Sequence, residues 1–162
     1  MIADSLLRKH LAGVLLLISF LVSLAFFAIF PPERTNRTLF FPGTTEVTLR
    51  GERRMLPRGT GEREIEFLVE DQILGPARIS HGRLLPRATQ INTLFVRDDR
   101  LYLDLSQDAI VESDDVRIPL DQALAGLEHS IRYNFRGIED IVITIDGSIP
   151  FVPAYRSQSI GN

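Results

Sequence analysis

The sequence contains no cysteine. The chain can therefore form no disulfide framework, no thiolate metal site and no cysteine nucleophile, and it lacks the residue to which a lipoprotein attaches its lipid. We expect a hydrophobic core to stabilise the folded part, because a domain of about 115 residues buries enough surface to fold without such links. If the protein is held at a membrane, a peptide segment must hold it.

The sequence also lacks a block of charge of one sign. The formal net charge is -3, and acidic and basic residues are interleaved from Arg50 to Asp146. A domain that binds nucleic acid usually gathers its basic residues into one patch, so nucleic acid is not an expected partner. Seventeen of the 18 basic residues are arginine, which we interpret as a genomic preference.

One long hydrophobic run lies near the start of the chain. Residues 11–30 carry no charge and, as a helix, extend about 30 Å, the thickness of a bilayer's hydrocarbon core. Arg8 and Lys9 precede the run, and two prolines follow it. We predict a transmembrane helix over 11–30, with a cytoplasmic tail of residues 1–10 and the rest of the chain outside the cytoplasm. The alternative is a signal peptide cleaved after Ala25, which would leave an exposed apolar terminus.

Residues 31–37 are predicted to form a stiff linker, residues 38–152 one domain, and residues 153–162 a flexible tail. Helical periodicity predicts a helix from Thr60 or Gly61 to Ile73. It predicts another that begins near Pro119, with one apolar stripe made of Leu120, Leu124, Leu127, Ile131 and Phe135. The strands are predicted at 38–41, at 46–50 and 53–56 around a turn at Gly51 and Glu52, and at 89–97 and 100–105 around a turn at Asp98 and Asp99. A central strand is predicted at 141–145, followed by a turn at Asp146 and Gly147 and a strand at 148–152. We expect an α+β domain in which both helices pack on one face of a small, mostly antiparallel sheet.

No residue has the sequence neighbours that catalysis or metal binding requires. The histidines His10, His81 and His129 include no pair at the i, i+4 spacing of a helical zinc site, and we expect His81 and His129 to be solvated. The acidic pairs lie outside any calcium-loop motif, and turns or helix ends explain them: Asp98 with Asp99, Asp114 with Asp115, and Glu139 with Asp140. Gly59 to Gly61 lacks the third glycine of a dinucleotide site. We predict no catalytic, cofactor-binding or metal-binding residue, and no enzymatic activity.

Several short motifs occur in an order that is similar to a known domain family. They are FFP at 40–42, ILGP at 73–76, LPRAT at 85–89, LDLS at 103–106 and IVITIDG at 141–147. In this order they resemble the GerMN domain, which is named from a spore-germination protein, over residues 38–152. The turn at Asp98 and Asp99 departs from the Asp-Gly-like turn that is common in that family.

The resemblance implies a bacterial envelope protein, a lipoprotein or a single-pass membrane protein, with a fold similar to the ring-building motifs of secretion and sporulation complexes. It implies no catalytic residues, and it does not imply germination, because many relatives come from bacteria that form no spores. We interpret the chain as an interaction or assembly module on the outer side of the cytoplasmic membrane. Its partners would be other envelope proteins or further copies of itself.

Two alternatives stay open. The first is a module that binds peptidoglycan or another wall polymer, because arginines can pair with wall carboxylates and four of them occur close together: Arg50, Arg53, Arg54 and Arg58. The second is a hydrolase that acts near the wall, which the sequence favours least because it contains none of the nucleophile or phosphate-loop motifs.

Overall fold

The computed structural model describes residues 2–29, 33–44 and 48–150, and within the first range the side chains of residues 13–26 and 29. The chain separates into two units, one that ends at Glu33 and one that begins at Arg34. The predicted tail, residues 153–162, lies outside the described residues.

The first unit contains helix α1, Ile2–Ile29. Its helical conformation agrees with the conformation predicted for residues 11–29. Within the described residues, no helix combines the length and the apolar character needed to cross a membrane. The transmembrane assignment of residues 11–30 therefore has no support from the described structure and stays a prediction.

The second unit is an α+β domain. Its first half contains β1, Arg34–Pro42, β2, Leu49–Pro57, and α2, Glu62–Leu74. Its second half contains β3, Ile91–Arg97, β4, Arg100–Leu105, a short 3-10 turn, α3, Leu120–Asn134, and β5, Asp140–Ile145. Strand β1 begins four residues before the predicted strand, so residues 34–37 belong to the domain and not to a linker.

The two domain helices lie where the periodicity predicts them. Helix α2 is flanked by Gly61 and Gly75, whose φ angles of 56° and 92° are positive and favour glycine. Helix α3 follows Pro119 and buries Leu127 and Ile131 of the predicted apolar stripe. The other three stripe residues pack partly buried against the core: Leu120, Leu124 and Phe135.

The strands form two sheets, so the prediction of a single sheet is wrong. Strands β1 and β2 make an antiparallel ribbon, and the second sheet has the order β3-β4-β5. Strand β5 runs parallel to β4 at the edge of that sheet, although its run of β-forming residues predicted a central strand. The predicted turn at Gly51 and Glu52 is also wrong, because both residues lie inside β2, with Gly51 opposite Phe40.

Polar side chains of the helices explain why the ribbon stays separate. Thr38 donates its backbone N–H to Asn134 Oδ1 at 3.0 Å, and Asn134 Nδ2 donates to the Thr38 carbonyl at 2.7 Å. Phe40 donates its N–H to Ser130 Oγ at 3.0 Å, and its carbonyl accepts from Gln72 Nε2 at 2.8 Å. These bonds occupy the edge of β1 that faces away from β2. No strand can pair there, because the groups that it would bond are already satisfied.

The other two predicted two-residue turns are present. Asp98 and Asp99 have φ angles of 51° and 59° and join β3 to β4. Asp146 and Gly147 turn the chain after β5, and Ile145 and Ser148 exchange backbone hydrogen bonds across that turn. The strand predicted at 148–152 is reduced to this one bridge in the described residues, because Pro150 has no N–H with which to extend the ladder.

The closure of the β1 edge predicts a specific loss of stability. Replacing Asn134 with alanine leaves the partly buried N–H and carbonyl of Thr38 without their partners. We expect the free energy of unfolding to fall by about 2 kcal/mol, measured by urea unfolding of the full-length chain. Glu128→Ala, which removes an exposed pair with Arg132, is the control and should cost about 0.5 kcal/mol or less. Equal losses in the two variants would show that Asn134 does not close this edge.

Candidate functional site

The arginine-rich stretch predicted as a binding segment lies on and just after β2. Side chains alternate along a strand, so neighbouring arginines do not share one environment. Arg53 and Met55 are exposed, whereas Glu52 and Leu56, on the other face of β2, are buried. The strand thus divides the predicted binding segment into an inner part and an outer part.

On the inner side of β2, the side chain of Arg54 is hydrogen-bonded to the rest of the domain. Its guanidinium donates to Glu52 Oε1 at 2.8 Å, to Asp71 Oδ2 at 2.7 Å and to the Gly75 carbonyl at 2.7 Å. Burial by itself lowers the pKa of Arg54, but its bonds to Asp71 and Glu52 raise the pKa overall. Arg54 therefore links β2 to the C-terminal end of α2, and we correct the proposed polymer-binding set by removing it.

Glu52 is the buried carboxylate of this cluster. Besides the bond from Arg54, it accepts the backbone N–H groups of Ala77 at 3.1 Å and Arg78 at 3.4 Å. Burial alone raises the pKa of Glu52, but the bonds from Arg54, Ala77 and Arg78 outweigh it and hold the pKa below its ordinary value. A carboxylate with this many donors stays ionised and fixes the loop after α2, which is a structural role.

His81 lies beside the same carboxylate, and its predicted exposure is wrong. The residue is 7% exposed, its Nδ1 lies 3.3 Å from Glu52 Oε2, and its ring stacks on Phe41. Within the described part of the chain, Nδ1 makes no hydrogen bond. No local pattern signals this burial, because Glu52 and Phe41 are far from His81 in the sequence.

The other residues considered for chemistry lie apart from this cluster. His129 is exposed, as predicted, and its ring packs edge-on against Phe40 at 4.4 Å. The side chain of His10 lies outside the described residues. Of the acidic pairs, Asp140 contacts Arg100 at 2.9 Å and Asp115 lies 3.2 Å from Arg83. In the described ranges, no group of three potential ligands is placed to hold a metal ion.

Two grooves on the surface of the domain are possible binding places. One, of about 390 Å³, is lined by His81, Arg83, Asp115 and Arg117 among others. The guanidinium of Arg83 already donates to the last carbonyls of α2, at Ile73 and Leu74, so this charge also serves the fold. The second groove, of about 630 Å³, is lined by Ile65, Val96, Phe135 and Ile138 among others.

The outward surfaces carry the groups that remain for contact with other molecules. Met55 on β2 is 61% exposed and Tyr133 on α3 is 58% exposed. On the second sheet, the rings of Phe95 and Tyr102 stack at 4.8 Å across two strands, and Phe95 is 41% exposed. This arrangement can support association, whereas the described residues show no reactive group with a base or acid placed to activate it.

Comparison with known proteins gives a family and a fold. The family model described as Germane, for sporulation and spore germination, matches residues 38–149. No curated protein matches the chain.

Three solved structures are similar. The first GerMN domain of the sporulation protein GerM from Bacillus subtilis matches with a TM-score of 0.55 and 15% identity over 72% of this chain and 86% of its own. The tandem GerMN domains of the same protein match with a TM-score of 0.58 and 10% identity over 75% of this chain and 42% of their own. A Clostridium perfringens protein described as a lipoprotein matches with a TM-score of 0.46 and 24% identity over 71% of this chain and 76% of its own. At these identities the likeness to GerM concerns the fold alone.

The buried carboxylate predicts a pH dependence of stability. Because the pKa of Glu52 is lower in the folded chain than in the unfolded chain, the stabilisation is present above about pH 4.3 and is lost as the pH falls through the folded value. Glu52→Gln should be less stable at neutral pH and should lose less further stability between about pH 5 and about pH 3. Unfolding midpoints measured across this range test the prediction. Glu66→Gln, at an exposed ion pair with Arg63, should keep the parent slope; the same flattening in both variants would refute the assignment to Glu52.

Proposed function

We propose, because this chain belongs to the Germane family of sporulation and spore germination, that it acts as a non-enzymatic interaction module of a bacterial cell envelope. The observation that carries the proposal is how the buried and half-buried charged side chains are bonded. Glu52, Arg54 and Arg83 each bond groups of the domain itself. The outward surfaces meanwhile present large apolar side chains at Met55 and Tyr133. Such a surface suits contacts with another macromolecule better than chemistry on a small one.

We place the domain on the outer side of the cytoplasmic membrane, held by residues 11–30. The support for this part is the uncharged run and its basic flank at Arg8 and Lys9. Tethering confines the domains to a plane and raises their effective concentration. Weak contacts between domains or with membrane partners would then suffice for assembly.

The anchor predicts the behaviour of the protein during membrane extraction. Alkaline carbonate removes peripheral proteins but leaves helices that cross the bilayer. We expect the full-length chain to stay in the membrane pellet after carbonate washing and to be released by detergent. Full-length protein in the carbonate supernatant would refute the anchor.

Crosslinking in the native membrane tests the interaction module itself. We expect the full-length chain to form defined adducts with one or a few envelope proteins, or with other copies of itself. Recovery of the monomer alone, at crosslinker doses that capture known neighbours in the same membranes, would refute the proposal.

A wall-polymer-binding function is the second candidate. The specific observation in its favour is that Arg50, Arg53 and Arg58 are exposed on or just after one strand. Sedimentation with purified sacculi distinguishes the two functions. Binding to sacculi that Arg53→Glu weakens would support the wall-polymer-binding function. The absence of co-sedimentation would eliminate that function.

A further inference from the structure

Among the residues that the structure describes, nothing pairs with the outer edge of β2 over most of its length. Thr38 and Phe40 direct their backbone groups to the helices, away from β2. In an antiparallel pair, residues directly opposite each other either both bond across the pair or both point outward. Arg53 lies opposite Thr38, and Gly51 lies opposite Phe40. The backbone N–H and carbonyl groups of Gly51 and Arg53 therefore point away from β1.

Met55 extends this edge by one more step. It lies opposite Asn36, two positions along from the Thr38 and Arg53 pair, so its backbone groups also point outward. Strand β2 pairs only with β1 among the strands of the described residues. No backbone hydrogen bond in the described chain reaches Gly51, Arg53 or Met55 from this side. Pro57 ends the strand and has no N–H to add.

Three consecutive outward residues make a template for one added strand. Alternate residues of a strand repeat about every 7 Å, and an extended polypeptide matches this spacing of donors and acceptors. A sugar polymer has no such ladder of alternating amide and carbonyl groups. The edge thus favours an extended peptide over a glycan.

The charges beside the edge select among peptides. The only carboxylate of β2, Glu52, is buried and bonded to Arg54. Among the three outward residues of β2, the exposed charged side chain is that of Arg53. Basic side chains protect an edge from uncharged or basic strands, whereas a strand with carboxylate side chains neutralises them.

A second copy of this chain fits the edge less well. The antiparallel register that pairs all three outward residues with their counterparts places Arg53 directly opposite Arg53 of the other copy. Like charges directly opposite each other destabilise a strand pair.

We propose that β2 binds an extended acidic segment of a partner protein as an added antiparallel or parallel strand, through the outward backbone groups of Gly51, Arg53 and Met55. This inference rests on the proposed interaction function and names the surface and the partner chemistry. It adds a β-strand interface to a domain whose other ribbon edge is closed by its own helices.

Site-specific photocrosslinking of the full-length chain in its native membrane tests the inference. A photoreactive amino acid is placed at Met55 on the open edge, and at Tyr133 on α3 as a matched exposed control. We expect the Met55 probe to capture a protein, and the crosslinked peptide to carry clustered Asp or Glu residues.

Variants at Arg53 distinguish the contribution of the backbone N–H to partner binding from the contribution of the side-chain charge. Arg53→Pro removes an N–H that points away from β1, so the ribbon is expected to persist, and Arg53→Glu reverses the charge. Each should reduce the Met55 adduct by about tenfold or more, whereas Arg53→Lys should retain most of it. Unfolding midpoints of all three variants identify any change that comes from misfolding, and Arg53→Glu keeps the test decisive if the proline variant does not fold.

The outcomes distinguish this inference from the function on which it rests. Adducts of Met55 with a second copy of the chain or with wall glycan would refute the proposal that the partner is an acidic peptide. A Met55 adduct that persists in both Arg53→Pro and Arg53→Glu would show that the partner does not bind as a strand added to the edge of β2. Adducts from Tyr133 but not from Met55 would overturn this inference and leave the interaction module standing, and the absence of adducts from both positions would overturn both.

Discussion

The closure of the β1 edge by helix side chains is the constraint on which the rest of the domain depends. Asn134 and Ser130 of α3 and Gln72 of α2 take up the backbone groups that a neighbouring strand would otherwise use. Arg37 reinforces this arrangement, because it donates to the Asn134 carbonyl at 2.9 Å and lies over the ring of Phe135. The five strands found in the described part of the chain are consequently divided between two sheets, and the ribbon edge that stays unpaired there is the one on β2.

Sequence patterns predicted the elements whose signals are local. The apolar spacing of α2 and α3 and the turn at Asp98 and Asp99 depend on neighbouring residues, and the structure confirms them. The division into two sheets was not predictable in the same way. Asn134 and Ser130 lie beside the apolar stripe of α3, but no local pattern identifies their partners on β1, which lie 96 and 90 residues away in the chain.

The candidate site also contains residues whose surroundings could not be predicted from local sequence patterns. The glycine between two strand-like runs predicted a turn, but Gly51 lies inside β2, where a side chain would crowd Thr38 and Phe40. His81 and Glu52 appear polar and exposed in the sequence, and they are buried because Arg54 and the loop after α2 surround the carboxylate. The buried charges therefore organise the fold, and the proposed function depends on the outward side of the same strand.

Residue-resolved amide hydrogen exchange on the full-length chain tests the central claim most directly. If helix side chains close β1 and leave β2 open, the amides of Thr38 and Phe40 exchange slowly, and those of Gly51, Arg53 and Met55 exchange much faster than the alternate residues of β2. Fast exchange at Thr38 and Phe40, or uniform protection along β2 in the isolated protein, would contradict the account.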